Sequence, residues 1–160
     1  MHRLRLHLKD ESGQALVEFA LVIPILLLVM LAVLHFGKAI NYWNDATHIT
    51  AEGARYAAVN RKPNPGNAQS LQAQLLAQAD STELKSGGSD SIPTAAQVCV
   101  EYPNGTSAIG DPVRVRMRFT YHWMGFISGF LPSKVSSTTI ESTSVMRLET
   151  PPTNYSAGCA

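Results

Sequence analysis

The chain is poor in charge. Asp, Glu, Lys and Arg make up 16% of its 160 residues, against roughly 25% in ordinary globular proteins. The formal net charge is +1, so no strong overall field argues for nucleic acid or an acidic substrate as partner. Enzyme signatures are missing as well: there is no HExxH, no P-loop and no GxSxG. The five histidines, His2, His7, His35, His48 and His122, lack ligand spacing. A non-catalytic protein without metal or cofactor is expected. Cysteine is scarce too. Cys99 and Cys159 lie far apart and form no CxxC pair. Two readings stand open for them: a disulfide, if they face an oxidising compartment, or one buried thiol and one in a loose tail.

What is present in excess is apolar length near the N-terminus. From Phe19 to Leu34 every residue is apolar, with Pro24 the one non-aliphatic interruption after Phe19. Extension to Ala15 and Phe36 adds only Glu18 and His35 as polar positions and gives 22 residues. As a helix these reach about 33 Å, enough to cross a hydrocarbon core of about 30 Å. Lipid offers no hydrogen-bond partner to the backbone, so the segment must be helical. Pro24 lacks a donor and is expected to bend it. Arg3, Arg5 and Lys9 precede the span, and Lys38 is the one basic residue in the fifteen that follow. The N-terminus is therefore expected to be cytoplasmic and the remainder extracytoplasmic. A secretory signal has a shorter apolar core, about 7–15 residues, and a small-residue cleavage site. The sequence His35-Phe36-Gly37-Lys38 suits that cleavage poorly. His35 is read as a neutral side chain at the outer interface.

The junction Ser12-Gly13-Gln14-Ala15-Leu16-Val17-Glu18-Phe19 is the most informative stretch. A glycine closes a short charged leader, and a glutamate stands fifth after it, inside the apolar run. A carboxylate at mid-membrane costs about 2.5–3.5 kcal/mol, less near the interface. Glu18 either snorkels to the headgroups or has a partner. Cutting after Gly13 would create one, the new α-amine of Gln14, and a neighbouring subunit's amine could satisfy the acid.

At these residues the chain resembles the type IV pilin superfamily, in which a prepilin peptidase cuts after the glycine and the fifth mature residue is glutamate. Over GQALVEFALVIPILLL, HFGK and AEGARYAAV, roughly Glu11 to Val59, it is similar to the TadE-like pseudopilins of the tight-adherence (Flp) pilus system. SVMRLE, Ser144 to Glu149, resembles a terminal strand of that family more weakly. The resemblance implies cleavage between Gly13 and Gln14 and an assembly role for Glu18. It implies as partners the prepilin peptidase, other pilin or pseudopilin subunits met through the N-terminal helix, the assembly platform and membrane lipid. Many pilins begin with Phe or Met, whereas this chain would begin with Gln14. A free N-terminal glutamine can cyclise to pyroglutamate, so methylation or rapid docking is expected to protect it. The other reading is a single-pass, signal-anchored adhesin that never polymerises.

Beyond the span, Trp43, Ala46, Ile49, Gly53, Tyr56 and Ala57 recur at helical spacing as a packing face. The small members Ala46, Gly53 and Ala57 suit close packing on the chain's own sheet or on a neighbouring subunit. Arg61-Lys62-Pro63-Asn64-Pro65-Gly66 breaks the helix, and Asn67 is expected to cap a second one. There Leu71, Leu75 and Ala79 form the apolar stripe, with Gln72, Gln74 and Gln78 as the polar side. Ser86 to Ser91 reads as a flexible connector. Val98, Val100 and Tyr102 alternate as a strand, and so do Val113, Val115, Met117, Phe119 and Tyr121. Arg114, Arg116 and Arg118 face the other way, read as a solvated face paired with Glu101 or Glu141. Trp123 to Leu131 is an apolar loop, and Lys134 to Leu148 is one or two strands. The expected organisation is a leader 1–13, a transmembrane helix 14–38, its outer extension 39–62, a soluble domain 63–150 and a flexible tail 151–160. The fold class is α+β: a long N-terminal helix continuing into a pilin-like domain with a second helix and a small antiparallel sheet.

Overall fold

A computed structural model describes residues 11–123 and 136–160. The basic leader residues Arg3, Arg5 and Lys9, and most of the apolar loop after Trp123, lie outside the described residues. Among the described residues three helices, α1 (Glu11–Ala58), α2 (Leu71–Ala77) and α3 (Thr82–Ser86), precede a sheet. Its strands are β1 (Gln97–Glu101), β2 (Pro112–His122), β3 (Ser137–Arg147) and β4 (Gly158–Cys159). The protein is α+β, and its four-stranded sheet has the order β3-β2-β1-β4 with every neighbour antiparallel. Contacts divide the chain into two compact units, one ending at Phe36 and the other running from Gly37 to Ala160.

The second unit is built on the strict alternation of β2. Val113, Val115, Met117, Phe119 and Tyr121 are buried, while the arginines between them point to the opposite face. Cross-strand register puts Arg116 opposite Cys99 and Thr143, and Arg114 opposite Glu101. Glu101 is thereby shared: it pairs with Arg116 and lies 3.7 Å from Arg114, and Arg116 also reaches Glu141 at 4.0 Å. The arginine face is a partly exposed ion-pair network within the sheet. Such surface pairs are each worth little, about 0–1 kcal/mol.

Against the apolar face lies the outer part of α1. Ala39, Tyr42, Ala46, Ile49, Gly53 and Ala57 are buried at intervals of three and four, with Ala54 beside them, and Tyr56 is half-buried. Trp43, expected on this face, is 50% exposed. Successive residues turn about 100°, so with Tyr42 at the buried centre Trp43 falls at the margin. Tyr42 instead meets Phe119 and Tyr121 at centroid distances of 6.3 and 6.0 Å, and Tyr121 meets Trp123 at 4.9 Å. At Gly53 an added Cβ would sit 2.7 Å from Leu75 Cδ1 and 3.0 Å from Val115 Cγ1. The absent side chain lets helix and sheet approach.

Helix α1 ends in a Schellman arrangement. Asn60 takes a left-handed φ of 52°. Its amide donates to Ala57 O at 3.1 Å and the amide of Arg61 donates to Tyr56 O at 2.9 Å, satisfying carbonyls a helix end otherwise leaves open. The cap of α2 is Ser70, whose hydroxyl accepts from Ala73 N. Asn67, expected in that role, instead accepts from Gln69 N within the preceding loop. Gln72 and Gln74, expected on a polar side, are buried. They face inward because the chain around them supplies partners. Gln74 accepts from Asn64 N and donates to Gln69 O, and Gln72 donates to Ser156 O and Gly158 O.

Two further expectations change. The segment read as a flexible connector is a constrained turn. Gly87 has φ 67° and ψ −151°, a region essentially restricted to glycine. A Cβ there would lie 2.6 Å from Ala95 N and from Thr94 C. Gly87→Ala is expected to cost about 3 kcal/mol, seen as a lower midpoint in thermal melts; an unchanged midpoint would contradict this geometry. Residues 151–160, read as a flexible tail, are held in place. Cys159 is disulfide-bonded to Cys99, and β4 pairs with β1. Tyr155 is buried and donates to Ala57 O at 2.8 Å. Burial and the neighbouring Tyr102 push its phenol pKa upward, so it stays a donor across the neutral range.

Candidate functional site: the N-terminal helix

Among the described residues the apolar side chains of the first unit are left uncovered. Leu16, Val17, Phe19, Leu21, Ile25, Leu26 and Val33 are all exposed, and Leu21 reaches 69%. The helix beginning at Gly13 has a mean hydropathy of 2.9 over its most apolar window, none of which is buried. An uncovered apolar surface of this extent requires lipid or other protein around it. By length and composition it is a candidate single-pass membrane anchor. Pro24 lies inside the helix without an amide to donate.

At its start Gly13, Gln14 and Glu18 all lie on α1. The space beside Gly13 is open: an added Cβ would meet nothing within 4 Å. Glu18 has a partner in the same chain, because the Gln14 carboxamide donates to Glu18 Oε1 at 3.1 Å. The signal for this pair was readable, since Gln and Glu stand at i and i+4, where side chains meet on a helix. It provides an acceptor-satisfying contact for a carboxylate among apolar neighbours. Among the described residues this is where Gln14 and Glu18 come together. Ala46, Gly53 and Ala57 are used instead in the core of the second unit, and Cys99 and Cys159 are joined at the other side of the sheet from that core.

No group of three or more His, Cys, Asp or Glu side chains is placed to hold a metal among the described residues. The site contains Gly13, a Glu18 paired with Gln14, and an apolar helix left exposed among the described residues. Fold and site together define a protein with one candidate membrane anchor and a small α+β domain. Residues 13–55 match the family model described as TadE-like protein, so this segment is TadE-like. That family is a pilus-associated structural one. The matched stretch covers the anchor and most of the outer part of α1, and stops short of the sheet. No curated protein and no solved structure matches the chain.

Proposed function

We propose that the chain is a minor pseudopilin of a tight-adherence pilus. It is inserted with its N-terminus in the cytoplasm and cut by a prepilin peptidase between Gly13 and Gln14. The mature chain then takes part in pilus assembly or surface adhesion. The observation that carries this reading is the junction of Gly13 and Glu18 at the head of an uncovered apolar helix, inside the TadE-like segment. The soluble domain after the helix suits a minor or priming subunit better than a shaft subunit made of little more than a helix.

In this reading Gln14 has two successive roles. Before cutting, its carboxamide occupies Glu18 and lowers the cost of a carboxylate near lipid. After cutting, Gln14 carries the new α-amine. A neighbouring subunit's ammonium then competes for Glu18 with a stronger, charge-assisted bond. Glu18→Ala is therefore expected to leave cutting intact and to lower the amount of the chain in sheared pili by tenfold or more, in line with the loss of one partner of a desolvated ion pair. Immunoblots of sheared and membrane fractions measure both. Unchanged recovery in pili would remove Glu18 from assembly, whereas absence of even the wild-type chain from sheared pili would favour the non-polymerising adhesin.

A further inference from the structure

Where α1 ends, the chain builds a cleft with two cationic side chains in its lining that the assembly reading does not use. The cavity is about 340 Å³ and is lined by Asn60, Arg61, Lys62, Pro65 and Asn154. Two of these side chains are cationic and none is acidic. Among the described residues the Arg61 guanidinium makes no hydrogen bond or ion pair, so all five of its donors are available. Lys62 gives one N–H to Gln69 O at 3.2 Å and keeps two. The neighbouring depression, which Arg61 also lines, contains Glu52 and Arg55, and these cancel to no net charge.

The walls are fixed before any ligand arrives. Asn60 is held in its left-handed conformation and accepts from Thr153 N and Asn154 N at 3.0 and 2.8 Å. The carboxamide of Asn154 donates back to Asn60 O at 2.8 Å, and its own oxygen has no hydrogen-bond partner among the described residues. The disulfide secures the segment that carries Asn154, and Pro65, also in the lining, has a fixed φ. A preformed cleft does not spend binding free energy on ordering itself.

We infer that this cleft binds a carboxylated sugar unit, the Arg61–Lys62 pair holding the carboxylate and Asn154 a ring hydroxyl. The volume lies at the small end of ligand pockets, about 300–1,000 Å³, which suits a single ring. A planar guanidinium matches a carboxylate with two parallel hydrogen bonds. The Pro65 ring offers an apolar surface to a pyranose face. The inference does not rest on the pilus reading, because cleft chemistry and leader cutting involve different residues.

The test is titration calorimetry of the full chain in detergent micelles with a defined galacturonate oligomer. A neutral glucose oligomer, inorganic phosphate and phosphatidylglycerol vesicles serve as comparison probes. Saturable binding of the galacturonate, absent with the neutral oligomer, is expected. Arg61→Gln should weaken it about tenfold and Lys62→Gln by less, while Arg118→Gln, on the arginine face of the sheet, should leave it unchanged. Melting curves confirm that each variant folds; the Lys62 variant carries the test if the Arg61 variant does not. Four results would overturn the inference: no saturable binding, equal binding of the neutral oligomer, an equal loss in Arg118→Gln, or phosphate or vesicles binding as tightly as the galacturonate.

Discussion

Gly13→Ala is expected to abolish removal of the leader while leaving the fold untouched. The separation of these two effects rests on the geometry of α1. A Cβ at Gly13 meets nothing within 4 Å, and alanine in a helix is favoured over glycine by about 1 kcal/mol. The substitution therefore adds helix propensity without a collision. Any loss of cutting then belongs to recognition by the peptidase, since the proposed cut lies at the carbonyl of this residue. The processed fraction should fall at least tenfold, read as a heavier band that remains with the membranes. Wild-type levels of mature chain from Gly13→Ala would show that the glycine is there for another reason.

Cys159→Ser is expected to destabilise the second unit by about 4 kcal/mol, from the closure entropy of a loop of 60 residues. That corresponds to a melting point lower by roughly 15 °C for a domain of this size. The bond matters because the last ten residues cap other elements. Tyr155 donates to Ala57 O, and the 153–154 segment engages Asn60. Glu149 N donates to Ala58 O at 2.9 Å. Losing the covalent link leaves these hydrogen bonds and a two-residue strand to hold this segment, and a strand of that length is too short to do so alone. Reduced wild-type protein should melt with the variant. A melting point unchanged by either treatment would mean that the hydrogen bonds alone keep the segment in place.

How much was legible follows from the range of each signal. The apolar run of α1 and the alternation of β2 are strong because one period holds over many residues. They suffice for the class of fold and for the candidate anchor. Trp43 was placed wrongly because residues at i+3 and i+4 both fit a helical stripe, and only the sheet fixes which one is central. Burial of Gln72 and Gln74 was invisible locally. It depends on Asn64 N, Gln69 O, Ser156 O and Gly158 O arriving at their carboxamides, two of them from the far end of the chain. Helix α3 has five residues, too few for a periodic pattern. The Gln14–Glu18 contact was written in the i,i+4 spacing. The spacing alone does not single it out, because a carboxylate inside an apolar run fits a partner from another subunit equally well.

The central claim is tested most directly by the mass of the mature N-terminus. The chain is recovered from membranes of cells with and without a prepilin peptidase, and its N-terminal peptide is read by mass spectrometry. The account predicts a chain that starts at Gln14 only when the peptidase is present. Met1 intact in both strains would contradict it and leave a signal-anchored surface protein.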